Sequence, residues 1–156
     1  MATDEQKKKN QLRLANMTLF GVTAGVWDLL GEGASGLTHQ IGSEILPVME
    51  NEMGLEIAGE SPEDVLQEVA RLFVDEFGFA KDIEVTSDGD VLKMKVAGCL
   101  NYKLTQDLTA AGVERPFVCP YLAAATAVFD RMGIKAMTKI DTWSEKRGSV
   151  LSFELF

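Results

Sequence analysis

The sequence predicts an α+β domain in which an antiparallel sheet of four to five strands packs against N-terminal and central helices, with an apolar cavity between the helices and the sheet. Three observations predict this class. Helical periodicity fills the first half of the chain, a hairpin signal with an Asp-Gly turn follows, and the last segment, Arg115 to Phe156, indicates a turn, an Ala-rich helix and two alternating strands. Helices and hairpins in this order are typical of α+β proteins.

Length and charge limit the classes of function. The chain has 156 residues, the size of one domain, and a formal net charge of −9, which would repel a nucleic-acid backbone and an anionic membrane surface. No apolar run approaches the ~18 residues that span a bilayer, and the polar start MATDEQKKKN lacks the apolar core of a signal peptide. We therefore expect a cytoplasmic location, with Cys99 and Cys119 as reduced, buried thiols.

The N-terminal stretch from Thr3 to Leu30 predicts one helix, or two joined at a glycine, that becomes more apolar toward its end. Gly21 and Gly25 lie four residues apart, so either a close helix contact, such as a dimer contact, or local accommodation explains them. The following run GEGASG is a poor phosphate loop because a helix precedes it and the required Lys and Ser/Thr are missing. It predicts a turn between helices.

A second helix is predicted from Leu37 to Met53, with Pro47 inside the pattern. The proline ring opposes the carbonyl four residues back, so it should bend the helix near Ser43 or restart it. His39 is the only histidine in the chain. It could ligate haem or metal, contact an organic ligand, or be a half-exposed polar residue.

The run Ser61-Pro62-Glu63-Asp64 is a strong helix start, with Ser61 as the N-cap, and the apolar stripe that follows ends at Gly78. A hairpin is predicted around the turn Ser87–Asp90. The stretch from Cys99 to Gly112 predicts a loop or short helix over the sheet. A plain connection is favoured there over a lid.

The last helix begins at Pro120, a residue suited to a first turn, and ends at Gly133. Alternating residues then predict two half-buried antiparallel strands, one after Gly133 and one from Ser149 to Phe156. A short polar loop from Trp143 to Gly148 joins them.

The chemistry of an active site is hard to find in this sequence. It has no G-x-S-x-G elbow, one histidine, and none of the C-x-x-C or H-x-x-x-H spacings that favour zinc. Aromatic, Met and Cys side chains instead concentrate around the predicted sheet, where they would line either a ligand cavity or an ordinary core. The candidate ligand-binding residues are Phe77, Phe79, Met94, Tyr102, Phe117, Cys119, Tyr121, Phe129 and Trp143.

The order of motifs resembles a known family. The run LLGEGASGL, the IGSEI segment, the FGF approach to the sheet, the helix PFVCPYLAAATAVFDRMG and the late Gly148 together are similar to the 4-vinyl reductase-like, or hydrocarbon-binding, domain. Its superfamily includes haem nitric-oxide sensors and small subunits of the Golgi transport particle. The resemblance implies an apolar cavity between helices and sheet, frequent dimers, and a sensory or carrier role for small hydrophobic or aromatic molecules.

The same resemblance implies a zinc site that this chain has lost. Cys119 stands at the first ligand position and Asp141 at the position of a Glu, but Ser144 and Ser152 occupy two cysteine positions. A neutral serine is a far poorer zinc ligand than a thiolate. We therefore expect no cofactor: no tight structural zinc, and no haem, since His39 does not match the haem ligand of the sensors.

These inferences favour residues 1–30 as an N-terminal helical segment and residues 31–156 as a 4-vinyl reductase-like ligand-binding domain, together one domain. The expected function is a stand-alone module that binds or senses a small apolar molecule, as a homodimer with a separate signalling partner. Two alternatives remain open: a dimeric interaction or scaffold protein without ligand, and a vinyl-group reductase of tetrapyrroles. We expect no enzymatic activity.

Overall fold

The computed structural model describes residues 1–156, the whole printed sequence, and contains five α-helices and four strands. The helices are α1 (Asp4–Leu30), α2 (Leu37–Glu52), α3 (Pro62–Arg71), α4 (Tyr102–Ala110) and α5 (Pro120–Arg131). The strands are β1 (Asp82–Asp88), β2 (Val91–Ala97), β3 (Ala136–Trp143) and β4 (Gly148–Leu155). The predicted α+β class is confirmed.

The sheet is antiparallel throughout, with strand order β1-β2-β4-β3. Met94 on β2 lies opposite Val85 on β1 and Leu151 on β4, so these residues share one face. Met94 and Leu151 are completely buried, whereas Lys93, on the other face of β2, is exposed. The sheet therefore has an inner face covered by helices and an outer face open to solvent.

Helix α5 lies at the centre of the core. Its side chains are buried on almost all sides, as expected for a helix that other elements surround, and it contacts α2, α3 and β3. The Phe129 ring packs edge-to-face on Phe153 of β4, with 5.7 Å between ring centroids. The helix ends before Gly133, which has a positive φ of 73° as predicted.

The contact between α2 and α5 is very close. A Cβ atom placed on Gly42 would overlap the carbonyl oxygen of Ala123 and lie 2.9 Å from the Cβ of Ala127. Helix α2 continues without interruption through Pro47, so of the two predicted outcomes, a bend near Ser43 or a restart of the helix, the restart is wrong. The packing on α5 explains how α2 tolerates a residue that lacks an N–H donor.

Helix α3 begins as the sequence predicts. The Ser61 hydroxyl accepts a hydrogen bond from the Asp64 N–H at 3.2 Å, and the Asp64 carboxylate accepts from the Ser61 N–H at 3.0 Å. Hydrogen bonding to Ser61 lowers the pKa of Asp64. The helix then widens into a π turn over Leu72–Glu76, which the periodicity did not predict, and the N–H of Phe77 donates to the carbonyl of Leu72.

Replacing Ser61 with alanine is expected to lower the free energy of unfolding by about 1 kcal/mol, because the first turn of α3 loses its cap. Urea denaturation measures the change. Ser43→Ala is the control: its hydroxyl bonds the His39 carbonyl within α2, an interaction that adds little to helix stability. Equal losses in the two variants would contradict the capping role.

Helices α1 and α4 form a separate layer. Leu104, Leu108 and Val113 make a buried cluster of their own, distinct from the 22-residue main core. The side chains packed against this small cluster come mainly from α1 and are Leu19, Phe20, Trp27 and Val118. None of the helices combines the length and the apolar character needed to cross a membrane.

Candidate functional site

A narrow crevice opens between α4, the first turn of α5 and the inner face of β3 and β4. Its free volume is about 20 Å³, close to what one water molecule needs. Most of its lining is apolar, and both cysteines of the chain contribute to it. The lining residues are Cys99, Asn101, Leu104, Thr105, Leu108, Pro116, Val118, Cys119, Pro120, Tyr121, Ile140 and Ser149.

Tyr121 links the crevice to the aromatic part of the core. Its hydroxyl is hydrogen-bonded to the sulfur of Cys99, 3.6 Å away. Its ring packs against Phe73 and Phe79, with centroid distances of 4.7 and 5.8 Å. Phe77 packs on the other side of Phe73 at 5.2 Å. The base of the crevice is thus an aromatic cluster that places one hydroxyl beside a thiol.

The Cys119 thiol and the Tyr121 hydroxyl of the crevice are neutral at physiological pH. Burial raises the pKa of the Cys119 thiol to about 12, although the N–H groups of Leu122 and Tyr121 act in the opposite direction. A helix N-terminus ordinarily lowers a cysteine pKa, so here desolvation outweighs it. Burial also raises the pKa of Tyr121, and the neighbouring Cys99 adds to this effect. The crevice therefore suits an uncharged, apolar group.

Helix α4 forms the outer wall of the crevice. Leu104 and Leu108 point into the small cluster shared with α1, so α4 is held by that cluster and not by the main core. At the start of α4 the Tyr102 hydroxyl accepts a hydrogen bond from Gln106 at 2.7 Å, and the Arg147 guanidinium lies 5.1 Å from the Tyr102 ring centroid. The sequence predicted a loop or a short helix in this stretch, and the structure has the short helix. Few contacts oppose its movement away from the sheet.

The structure brings only some of the predicted ligand-binding residues together. Cys119 and Tyr121 line the crevice, and Phe77 and Phe79 surround the same aromatic cluster. Tyr102 lies at the edge, in a smaller adjoining cleft with Cys99 and Ser149.

The other four predicted residues lie elsewhere. Met94 and Phe129 are fully buried in the main core. Phe117 is buried near α2, where its carbonyl accepts a hydrogen bond from Thr38 at 3.1 Å. Trp143 on β3 pairs with Gly148 on β4, and the alternation along these strands places it on the outer face of the sheet. Whether any of the nine binds a ligand stays a prediction.

Sequence reasoning missed several residues of the crevice. Leu104 and Leu108 are one helical turn apart, a spacing that could have identified an apolar helix face. No sequence pattern identified Cys99, because its position depends on contacts with a distant part of the chain. The N–H groups of Gly98 and Cys99 donate hydrogen bonds to the carbonyls of Lys146 and Arg147, respectively.

His39 lies at the surface, outside the crevice. Its Nε2 atom is 3.2 Å from a carboxylate oxygen of Asp130 on α5. Both side chains are about half exposed or more, so the pair contributes little to stability. This arrangement agrees with the half-exposed polar alternative.

The fold is shared with a solved structure. A trafficking protein particle complex subunit 3 from Naegleria fowleri, covalently bound to palmitic acid, superposes with a TM-score of 0.63 at 13% identity, covering 95% of this chain and 96% of that one. At this identity the likeness shows that the two proteins share a fold. The 4-vinyl reductase-like assignment and the superfamily that it implies stay predictions.

Residues 14–155 match the model of the family described as "Putative rubredoxin C-terminal domain", and the chain belongs to that family. A curated relative from Methanothermobacter thermautotrophicus, named "Putative rubredoxin", is 32% identical over 116 residues. The match covers 74% of this chain and 58% of the relative, so the chain spans little more than half of that protein's length.

The residues of this chain do not fit an iron or zinc centre held by four thiolates, the kind of site that the word rubredoxin denotes. Such a centre needs four cysteines, whereas this sequence has two. The four positions of the zinc site implied by resemblance are spread over the start of α5, β3, the turn after it and β4, at Cys119, Asp141, Ser144 and Ser152. The absence of a cofactor stays a prediction.

Proposed function

We propose that this domain binds a small apolar molecule in the crevice beneath α4. The observation that carries the proposal is the lining itself: apolar side chains surround two thiols and a tyrosine hydroxyl, with no acidic or basic residue, under a helix that the main core does not hold. With about 20 Å³ free, the crevice is closed to anything larger than water. Binding therefore requires α4 to move outward, and the ligand would replace the contacts of Leu104 and Leu108.

The shape and charge of the edge favour a ligand with a polar or negative end. Arg147 lies over Tyr102 at the mouth and has no carboxylate partner within 4.0 Å. A chain or ring in the crevice could place an anionic group beside this guanidinium. The trafficking-complex subunit of the same fold is bound to palmitic acid, an apolar chain of this chemical type.

Native mass spectrometry of the freshly purified protein, followed by denaturation and identification of any released molecule, tests the proposal. We expect an apolar ligand at one per chain, or uptake of palmitic acid by the empty protein. A mass that persists after denaturation would indicate covalent attachment to Cys99 or Cys119. A protein that is empty when purified and takes up neither palmitic acid nor apolar aromatic molecules would contradict the proposal.

Ser149→Phe is expected to reduce binding of palmitic acid at least about tenfold, because the ring would fill the crevice from β4. Ser152→Phe is the matched control: the same exchange on the same strand, in register with the outer face of the sheet. Titration followed by mass spectrometry measures both. Thr105→Trp, which fills the crevice from α4, replaces Ser149→Phe if thermal unfolding shows that the latter is unfolded. Equal affinities in the blocked and control variants would place the ligand elsewhere.

A dimeric scaffold without ligand is the second candidate. It is favoured by the exposed apolar side chains of α1, which include Leu14, Met17 and Leu29. A vinyl reductase gains no support from the crevice, whose lining includes no Asp, Glu, His, Lys or Arg side chain that could transfer a proton.

A further inference from the structure

A groove runs between helix α3 and the edge strand β1. Its walls are formed by Gln67 and Ala70 of α3, Val74 of the π turn that follows, and Ile83 and Val85 of β1. Its free volume is about 400 Å³, whereas that of the crevice beneath α4 is about 20 Å³. A volume of this size is typical of clefts that hold a ligand. The groove is therefore open without any movement of a helix.

Strand β1 presents free main-chain groups along this groove. It lies at one edge of the sheet, so only β2 pairs with it. A two-residue turn joins the two strands, so Asp88 and Val91 form a hydrogen-bonded pair and the even-numbered residues of β1 bond to β2. The N–H and C=O groups of Ile83, Val85 and Ser87 then point away from β2, and no other main-chain group bonds to them. They form a template for one more strand.

The side chains beside this edge carry charge of one sign. Asp82, Glu84 and Asp88 lie on the outer face of β1, and all three are exposed. Of these, Glu84 alone makes an ion pair, with Lys95 at 3.9 Å. Asp75 adds a further carboxylate to the lining of the groove. The edge therefore has several carboxylates that no basic side chain of the chain contacts.

The basic residue of the groove does not offset this charge. Both oxygens of the Glu68 carboxylate accept hydrogen bonds from the Arg71 guanidinium, at 2.9 and 2.6 Å, and Glu76 lies 3.8 Å from it. The other edge strand of the sheet differs, since on β3 the exposed charges of Lys139 and Asp141 pair with each other at 2.9 Å. An excess of negative charge thus distinguishes the β1 edge from the β3 edge.

An extended peptide that pairs with β1 would direct its side chains alternately to two surroundings. Those on the inner side would enter the groove and contact Ile83 and Val85, so apolar residues fit there. Those on the outer side would lie beside Asp82, Glu84 and Asp88, where lysine or arginine fits because opposite charges on neighbouring strands attract. A second copy of β1 does not fit, since pairing would place the carboxylates of both copies on one face.

We propose that β1 and α3 bind an extended segment of another protein, in which basic and apolar residues alternate, as an antiparallel fifth strand of the sheet. The groove lies at the edge opposite β3, whose Ile140 lines the crevice beneath α4. The inference therefore does not depend on the ligand proposed for that crevice.

Fluorescence anisotropy of a labelled peptide that alternates lysine and valine, titrated with the full chain, tests the proposal. We expect saturable binding that weakens as the salt concentration rises, and no binding of a peptide that alternates glutamate and valine. In antiparallel pairing the valine N–H groups face β1. Methylation of the valine amides should therefore weaken binding at least about tenfold. Methylation of the lysine amides, which face solvent, is the matched control.

Variants of the protein locate the bound peptide. Gln67→Trp should weaken binding at least about tenfold, because the indole fills the groove from α3, whereas Gln40→Trp makes the same exchange at an exposed position of α2. Asp82→Asn should weaken binding about threefold, and Asp28→Asn, which removes an exposed carboxylate from α1, should not.

Three results would overturn the proposal. One is a natural chain that does not bind the lysine–valine peptide. The second is equal affinity for the two methylated peptides, which would show attraction by the carboxylates without strand pairing. The third is an equal loss in Gln67→Trp and Gln40→Trp, which would place the peptide outside the groove.

Discussion

Gly42→Ala is expected to lower the free energy of unfolding by about 3 kcal/mol or more. The added methyl group would overlap the carbonyl oxygen of Ala123 and lie 2.7 Å from its carbonyl carbon. Backbone atoms of a buried helix cannot rotate away as a side chain can, so α2 would have to move off α5. Urea denaturation followed by circular dichroism measures the loss.

Gly36→Ala is the matched control for this variant. Gly36 precedes α2 with helical dihedral angles (φ −64°, ψ −19°), and a Cβ there has no atom within 4 Å. The same chemical change should be neutral or slightly stabilising, because alanine has less conformational freedom to lose on folding. Small losses of stability in both variants would contradict the close contact between α2 and α5 at Gly42.

Between about pH 8 and about pH 10 the free energy of unfolding is expected to fall further in the natural protein than in the Cys119→Ala variant. The expected difference between the two losses is about 1.4 kcal/mol. Burial raises the pKa of the Cys119 thiol from 9.0 to about 12. In the unfolded chain the thiol gives up its proton above pH 9, while in the folded chain it keeps it. Between pH 9 and 12 the folded chain therefore binds more protons than the unfolded chain. The contribution of the Cys119 thiol to stability is complete below pH 9 and is lost as the pH rises toward 12.

Denaturation at several alkaline pH values measures this difference. Tyr121, whose pKa is raised mainly by burial and only in smaller part by Cys119, lowers stability above about pH 10 in both proteins, so most of its effect is common to the two profiles. Tyr121→Phe is the control, since it should retain the loss due to Cys119. Parallel pH profiles for the natural protein and Cys119→Ala would show that the thiol is accessible to water.

Much of the fold could be predicted because its signals are local. The capping box at Ser61, the turn at Gly89 and the helix end at Gly133 depend on a few neighbouring residues, and all are confirmed. The strand pair at the C-terminus followed from simple alternation. Each of these features is determined by chemistry within one or two turns of chain.

Features that depend on distant contacts could not be predicted in the same way. Helix α2 runs on through Pro47, where local rules predict a bend or a restart, and a π turn follows Arg71 where the periodicity predicts a regular helix. Gly42 looks like any other glycine until the helix that lies against it is known.

The candidate site was predictable in composition more than in position. Aromatic and cysteine side chains do gather around Tyr121, but Met94 and Phe129 belong to the packed interior, and Trp143 is in register with the other face of the sheet. The order of the strands and the position of α4 determine which aromatic residues contact one another. Neither can be inferred from a pattern of apolar residues in the sequence.

The separation of the small α1–α4 cluster from the main core has an evolutionary consequence. Substitutions at Leu104 or Leu108 change the wall of the crevice without touching the residues that hold the sheet to α5. Exchanges there between apolar side chains of similar volume would cost less than about 1.5 kcal/mol, so they could accumulate by drift. If the crevice binds an apolar molecule as proposed, members of one lineage could exchange one ligand for another in a few steps while the rest of the fold stayed constant.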